Sequence, residues 1–248
     1  MAPKRPPVDA HLLAATQKIG LVDDDTIDAS LRFVREHLGM DIAYLSEFVD
    51  GHIVFRALDT EVALDIASVG STLPLQETYC HHISEGRLPE LINDTADNPL
   101  CSTIPATALL PIKRHISVPV LRADGTAYGM FCCLSHKARM DLNSRDVGVM
   151  RAFAAIAGEQ VNNRLSHHDA ESTVRNRTLD IMRNKAFDIV YQPIMDAQTR
   201  RPKGFESLAR FRSEPYRTPD VWIGEARQVG LQQELEICLI ESALNALS

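Results

Sequence analysis

The chain has 248 residues, of which 45% are hydrophobic and 24% charged, enough to bury one sizeable core and part of a second. Its net charge of -7 argues against a broad nucleic-acid surface, which needs Lys and Arg clustered on a positive face. Five cysteines, Cys80, Cys101, Cys132, Cys133 and Cys238, are odd in number and show no C-x-x-C spacing, so neither a disulfide framework nor a zinc knuckle is indicated and a reducing compartment fits best.

The first seven residues are basic and proline-rich without the apolar core of a signal peptide, and no later stretch is long enough to span a bilayer. Residues 1–21 are therefore expected to be a flexible leader of a cytoplasmic protein that does not engage a membrane. From Asp25, the apolar positions Ile27, Leu31, Val34 and Leu38 recur on one helical face, with acidic residues in the first turn and Gly39 as the stop. Two β-type runs follow, 42–49 and 52–58, joined by Asp50-Gly51, a dipeptide suited to the positive φ angles of a tight hairpin. The span 71–110 reads as short helices and loops. A second pair of strands, 116–121 and 128–134, flanks Asp124-Gly125 and is rich enough in Val, Leu and Phe to be largely buried.

After the N-capping residues Asn143 and Ser144, the residues Val147, Met150, Ala154, Ala157 and Val161 recur at steps of three and four. The helix they predict runs through Leu165 and on past the polar 166–172 stretch towards Val174 and Ile181. A helix of this kind, with an imperfect heptad seam, suits pairing with a second copy, so a homodimer is expected; an ordinary linker helix is the alternative.

This order of helix, hairpin, variable middle, hairpin and exit helix resembles the GAF fold. The resemblance rests on the runs Leu73 to Cys80 (LPLQETYC), Gly86 to Asp94 (GRLPELIND), Ile116 to Val120 (ISVPV) and Tyr128 to Phe131 (YGMF), and covers residues 22–164. It implies an α+β fold in which an antiparallel sheet is flanked by helices and a ligand pocket lies under the middle segment. A second resemblance, to EAL domains, is carried by Asp188 to Ile194 (DIVYQPI), Gly204 to Phe211 (GFESLARF), the 219–230 segment and Glu234-Leu-Glu236, with Ser207 where the signature has Ala. EAL domains hydrolyse cyclic-di-GMP to linear pGpG with Mg²⁺ or Mn²⁺ in a barrel related to the (β/α)₈ type. The resemblance implies a linker helix over 165–186 and, over 187–248, a partial barrel fragment of two strands and two helices.

Period-two alternation puts Glu206, Leu208 and Arg210 on one face of a strand, with Phe205, Ser207, Ala209 and Phe211 on the other. By the resemblance, Glu206 is the first metal ligand, Arg210 grips a phosphate, and Gln192 and Leu208 lie near the ligand. Read from the residues alone, Glu206 and Arg210 also suit a strand-surface ion pair. The rest of the EAL ligand set lies further along in the family than Ser248, so this chain is expected to hold no metal and to be inactive by itself. In such a fragment the apolar helix faces of Trp222, Ile223, Ala226, Val229, Leu235, Leu239 and Leu247 are expected to be left bare.

Tyr79, Cys80, His81 and His115 are the candidate sensor-pocket residues. Cys80-His81 has the chemistry of a bilin attachment but lies earlier than the usual region. Haem or metal ligation by His81, His82, His115 or His136 lacks an H-x-x-x-H spacing, and no N-K-x-x-F-D-E signature of a cyclic-nucleotide pocket occurs. Cys132 and Cys133, adjacent in a strand, must face opposite sides. The resulting expectation is a GAF sensor of unassigned ligand controlling cyclic-di-GMP hydrolysis in a longer parent. The alternative is a non-enzymatic dimerisation or ligand-binding module.

Overall fold

The computed structural model describes residues 25–62 and 67–245, so the expected leader and Leu247 lie outside the described residues. The chain divides between Arg164 and Leu165 into two compact units.

The first unit opens on helix α1 (Asp25–His37), which places Ile27, Leu31 and Val34 wholly in the core. Asp25 and Asp28 sit in its first turn and Arg35 and His37 in its last, both favourable to the helix dipole. Gly39 ends it at φ +59, a conformation that glycine adopts without cost. Strands β1 (Ile42–Val49) and β2 (His52–Thr60) pair through Asp50 and Gly51, whose φ angles of 46 and 76 are those of the expected tight turn. The pairing skips a residue, because Leu45 faces Ala57 while Ser46 faces Phe55. Arg56 is the extra residue of this bulge, and its guanidinium pairs with Glu47 within the core.

Strands β3 (Thr72–Pro74), β4 (Leu91–Ile92), β5 (Arg114–Leu121) and β6 (Ala127–Ser135) complete a six-stranded antiparallel sheet in the order β3-β2-β1-β6-β5-β4. Between β3 and β5 lie the short helices α2 (Tyr79–Ser84), α3 (Pro99–Thr103) and α4 (Pro105–Leu109). Their apolar residues Cys80, Ile83 and Cys101, with Ile104 and Leu110 at the helix ends, pack on the sheet face formed by Ile42, Tyr44, Ile53, Phe55, Met130 and Cys132. The opposite face meets helices: Arg35 of α1 donates to Asp59 of β2 at 2.5 Å, and Cys133 contacts Met150 at 3.9 Å. Cys132 and Cys133 therefore face opposite sides, as strand geometry requires.

Helix α5 (Ser144–Asn184) starts with a reciprocal cap, in which Arg145 N–H donates to Asn143 Oδ1 and Asn143 N–H donates to the Asp146 carboxylate. Met150, Ala154, Ala157 and Val161 form its buried stripe in the first unit. The helix continues without a break through the polar 166–172 stretch.

In the second unit, the last turns of α5 lead into an antiparallel hairpin of β7 (Phe187–Met195) and β8 (Pro202–Phe211), followed by α6 (Pro219–Gln228) and α7 (Gln232–Asn245). The expectation of bare helix faces is corrected here. Trp222, Ala226 and Leu235 are buried together with Ile181, Phe187, Phe211 and Leu231, and Ile223, Val229 and Leu239 pack against that cluster. One face of the hairpin and the end of α5 supply enough apolar surface to cover them. What remains exposed lies elsewhere, at Ile194 (55%), Phe205 (60%), Ile240 (59%) and Leu244 (62%).

Candidate functional site

Three of the four sequence-predicted sensor residues meet on the inner face of the first sheet. Tyr79 opens α2, and its ring stacks on His115 of β5 with centroids 4.6 Å apart. The Tyr79 hydroxyl donates to Thr107 Oγ1 at 2.8 Å, and the Thr107 hydroxyl in turn donates to the Cys101 carbonyl at 2.5 Å. Burial pushes the Tyr79 phenol above its ordinary value.

Cys80, the next residue, is wholly buried and its Sγ lies 3.8 Å from Cys132 Sγ, 3.9 Å from the Tyr44 hydroxyl and 3.9 Å from Ser46 Oγ. These contacts, the one with Cys132 foremost, hold the Cys80 thiol below its ordinary range against the effect of burial. Burial drives the Cys132 thiol upward. Tyr44, Ser46 and Cys132 were missed in the sequence. Their signal was the period-two alternation of the two hairpins, which turns Tyr44, Ser46 and Cys132 to one side.

His115 is fully buried, and neither of its ring nitrogens has a hydrogen-bond partner. Burial lowers its pKa to about 3, so the ring is neutral at physiological pH. Ser117, two residues along the same strand, is wholly buried directly across the sheet from Cys132, whose thiol it faces. The two His115 nitrogens are thus buried polar atoms whose hydrogen-bonding capacity the protein leaves unused. His81 does not join them; it is partly exposed, with Nδ1 3.9 Å from Glu85. His82 is buried beside it and its pKa is lowered by desolvation, while His136 lies at the end of β6, where its backbone N–H donates to Asp41.

A cleft of about 720 Å³ lies elsewhere in this unit, between the β5 edge and α5, lined by Pro119, Leu121, Ala154, Gly158 and Asn162. Its Arg151 guanidinium is already paired with Glu90 at 2.7 Å. Glu159 and Asn163 add to its polar lining, and none of the sequence-predicted sensor residues reaches it.

In the second unit, cross-strand register puts Gln192 directly opposite Glu206, Val190 opposite Leu208 and Asp188 opposite Arg210. Glu206, Gln192 and Arg210 are exposed and Leu208 half-buried, because the alternate residues Phe187, Ile189, Ala209 and Phe211 face the helices. Tyr191 fastens the covered face by donating to the Ala243 carbonyl at 2.6 Å. The Glu206–Arg210 ion pair does not form: four residues of strand separate them by about 13 Å, and Arg210 instead donates to the adjacent Ala209 carbonyl. Glu206 and Gln192 offer one carboxylate and one amide oxygen, short of the six oxygens that Mg²⁺ requires. Among the described residues no group of three or more His, Cys, Asp or Glu side chains is placed to hold a metal ion. The residues present thus do not make a complete metal centre.

The family model of the GAF domain matches residues 24–161, more than half of the chain, and that of the EAL domain matches residues 175–248. No curated protein matches the sequence. Similar solved structures include the far-red absorbing dark state of JSC1_58120g3 with bound biliverdin IXa, 16% identical, covering 62% of this chain and 98% of that one at a TM-score of 0.48. The blue-light absorbing form of the Thermosynechococcus elongatus PixJ GAF domain is 16% identical, with 68% and 96% covered and a TM-score of 0.46. A type II free methionine-R-sulfoxide reductase from Thermoplasma acidophilum is 17% identical, with 55% and 90% covered and a TM-score of 0.45. The helix-flanked antiparallel sheet and the Y-Q-P-I and E-x-L-x-R strands thus have one reading: the chain belongs to the GAF domain family, and its GAF domain is followed by the N-terminal part of an EAL domain.

Proposed function

We propose that this GAF–EAL chain is the sensory part of a cytoplasmic cyclic-di-GMP phosphodiesterase, in which the GAF domain controls hydrolysis of cyclic-di-GMP to linear pGpG. The observation that carries the proposal is the exposed face of the β7–β8 hairpin, where Glu206 stands opposite Gln192 and Arg210 shares the face. A carboxylate and an amide side by side suit a hard cation and its water, and a guanidinium suits a phosphodiester oxygen pair. With one acidic ligand among these residues, hydrolysis calls for the further ligands of a whole EAL domain and for Mg²⁺ or Mn²⁺, and this chain alone is expected to be inactive.

On the sensory side, the two unpartnered His115 nitrogens support a small polar ligand beneath α2. The bilin of the first solved relative marks one ligand class to try. The exposed Phe33 (52%) and Ile156 (42%) on α1 and α5 support a homodimer formed through the helical side of the GAF domain and the linker helix. No helix of the described residues is long and apolar enough to cross a membrane.

The second reading, a non-enzymatic dimerisation or ligand-binding module, is favoured by the exposed Ile194 and Phe205 on the hairpin. Cyclic-di-GMP hydrolysis with Mg²⁺ or Mn²⁺, measured on this chain and on one extended through a complete EAL domain, separates the two. Cleavage by the extended chain alone, lost at least 100-fold in Glu206→Gln, is the expected result. Cleavage by neither supports the second reading, and cleavage by the present chain overturns the requirement for further ligands.

A further inference from the structure

Cys80 and Cys132 come from segments 52 residues apart, yet their sulfurs touch at 3.8 Å. Both side chains are wholly buried. The remaining cysteines are held elsewhere: Cys101 lies beside Tyr79, Cys133 faces Met150 on the other side of the sheet, and Cys238 in the second unit reaches the Met182 carbonyl. A disulfide needs the two sulfurs at about 2.05 Å, so a movement of less than about 2 Å at one end of a six-residue helix joins them.

We infer that Cys80 and Cys132 are a reversible dithiol–disulfide pair, which peroxide oxidises to tie α2 covalently to β6 beneath it. The two cysteines have different roles, set by their neighbours. Cys80 is the attacking thiolate, because the Cys132 thiol foremost, and after it the Tyr44 hydroxyl, lie against its sulfur and favour the charged form. Cys132 is the resolving thiol. It sits in strand β6, held by pairing with β1 on one side and β5 on the other, whereas α2 is a short helix whose local opening admits a molecule as small as hydrogen peroxide.

The chemistry closes without a further reactant. The Cys80 thiolate attacks one peroxide oxygen, the O–O bond breaks, and the departing hydroxide takes up the proton first lost from Cys80 to leave as water. Cys80 is then a sulfenic acid. The Cys132 sulfur attacks the Cys80 sulfur, the S–O bond breaks, and hydroxide leaves as a second water carrying the Cys132 proton. Two thiols have lost two electrons to one peroxide, which has become two waters. A dithiol reductant reverses the step by exchange through a mixed disulfide.

The test uses the full chain, reduced with dithiothreitol, treated with hydrogen peroxide, alkylated in denaturant and peptide-mapped. The expected result is loss of two of the five alkylatable thiols, a peptide containing Cys80 joined to one containing Cys132, and recovery of all five on reduction. The oxidised GAF domain is also expected to melt at a higher temperature than the reduced one, since the link closes a long loop. Cys132→Ser is expected to stop at a Cys80 sulfenic acid trapped by a dimedone reagent, whereas Cys101→Ser behaves as wild type. If Cys132→Ser fails to fold, the peptide map of the unaltered chain decides by itself. A link through Cys101, Cys133 or Cys238 overturns the inference, as does retention of all five thiols under peroxide that oxidises the unfolded chain.

Discussion

Tyr79 lies flat on His115, with ring centroids 4.6 Å apart, and covers an imidazole that has no hydrogen-bond partner at either nitrogen. The stack fixes α2 to β5, and it also keeps a titratable ring in an apolar enclosure.

A pH dependence follows from that enclosure. Burial holds the His115 pKa at about 3, against an ordinary 6.5, so between these values the unfolded chain binds a proton that the folded chain does not. The contribution of His115 is complete above pH 6.5 and falls as pH drops through the window, by roughly 1.4 kcal/mol per pH unit. Hydrogen exchange of the β5 and β6 peptides at pH 7 and pH 4.5 is expected to show this loss in the wild type and a much smaller one in His115→Phe. Equal slopes in the two proteins exclude His115 as the cause.

The centre of the same sheet tolerates no side chain at Gly129. A Cβ there meets the Ser46 carbonyl oxygen at 1.8 Å and the Glu47 Cα at 2.9 Å, both backbone atoms of the neighbouring β1. Gly129→Ala is expected to force β1 from β6 and to cost about 3 kcal/mol or more. Gly148→Ala on the open side of α5, where nothing lies within 4 Å, is expected to stabilise by about 0.5–1 kcal/mol. Chemical denaturation of the two variants, followed by far-UV circular dichroism, checks the opposite signs.

Trp222 reports on the second unit, being the single tryptophan of the chain. The guanidinium carbons of Arg177 and Arg217 lie 5.1 and 5.6 Å from its ring centroid, and both arginines pair with Glu225 one turn further along α6. Glu225→Ala removes the anion that gathers them and is expected to lower the stability of this unit by about 2 kcal/mol. The Trp222 emission should then redshift earlier in a denaturant titration. An unchanged midpoint means that burial of the ring, rather than the charged frame, holds the hairpin to α6.

Much of this architecture was legible in the sequence. The repeat of Ile27, Leu31 and Val34, the Asp50-Gly51 turn, and the Met150, Ala154, Ala157 and Val161 stripe each encode a local geometry that needs no distant partner to be recognised. The Glu206, Leu208 and Arg210 face was legible for the same reason, since a strand alternates whatever surrounds it. Its cross-strand neighbours were not, because the register of β7 against β8 is set by the hairpin as a whole.

The tertiary structure decided what pattern alone leaves open. The helix faces around Trp222 and Leu235 read as unpartnered in the sequence, yet the hairpin and the end of α5 bury them, because contact between distant segments follows from packing and not from periodicity. Likewise the sequence listed Tyr79, Cys80, His81 and His115 as equals. Folding separated His81, which turns to Glu85, from the other three, and it supplied Cys80 with Cys132, Tyr44 and Ser46. Identity and alternation along the chain belong to the sequence; which side chains meet across 52 residues, and with what protonation, is fixed when the sheet closes over them.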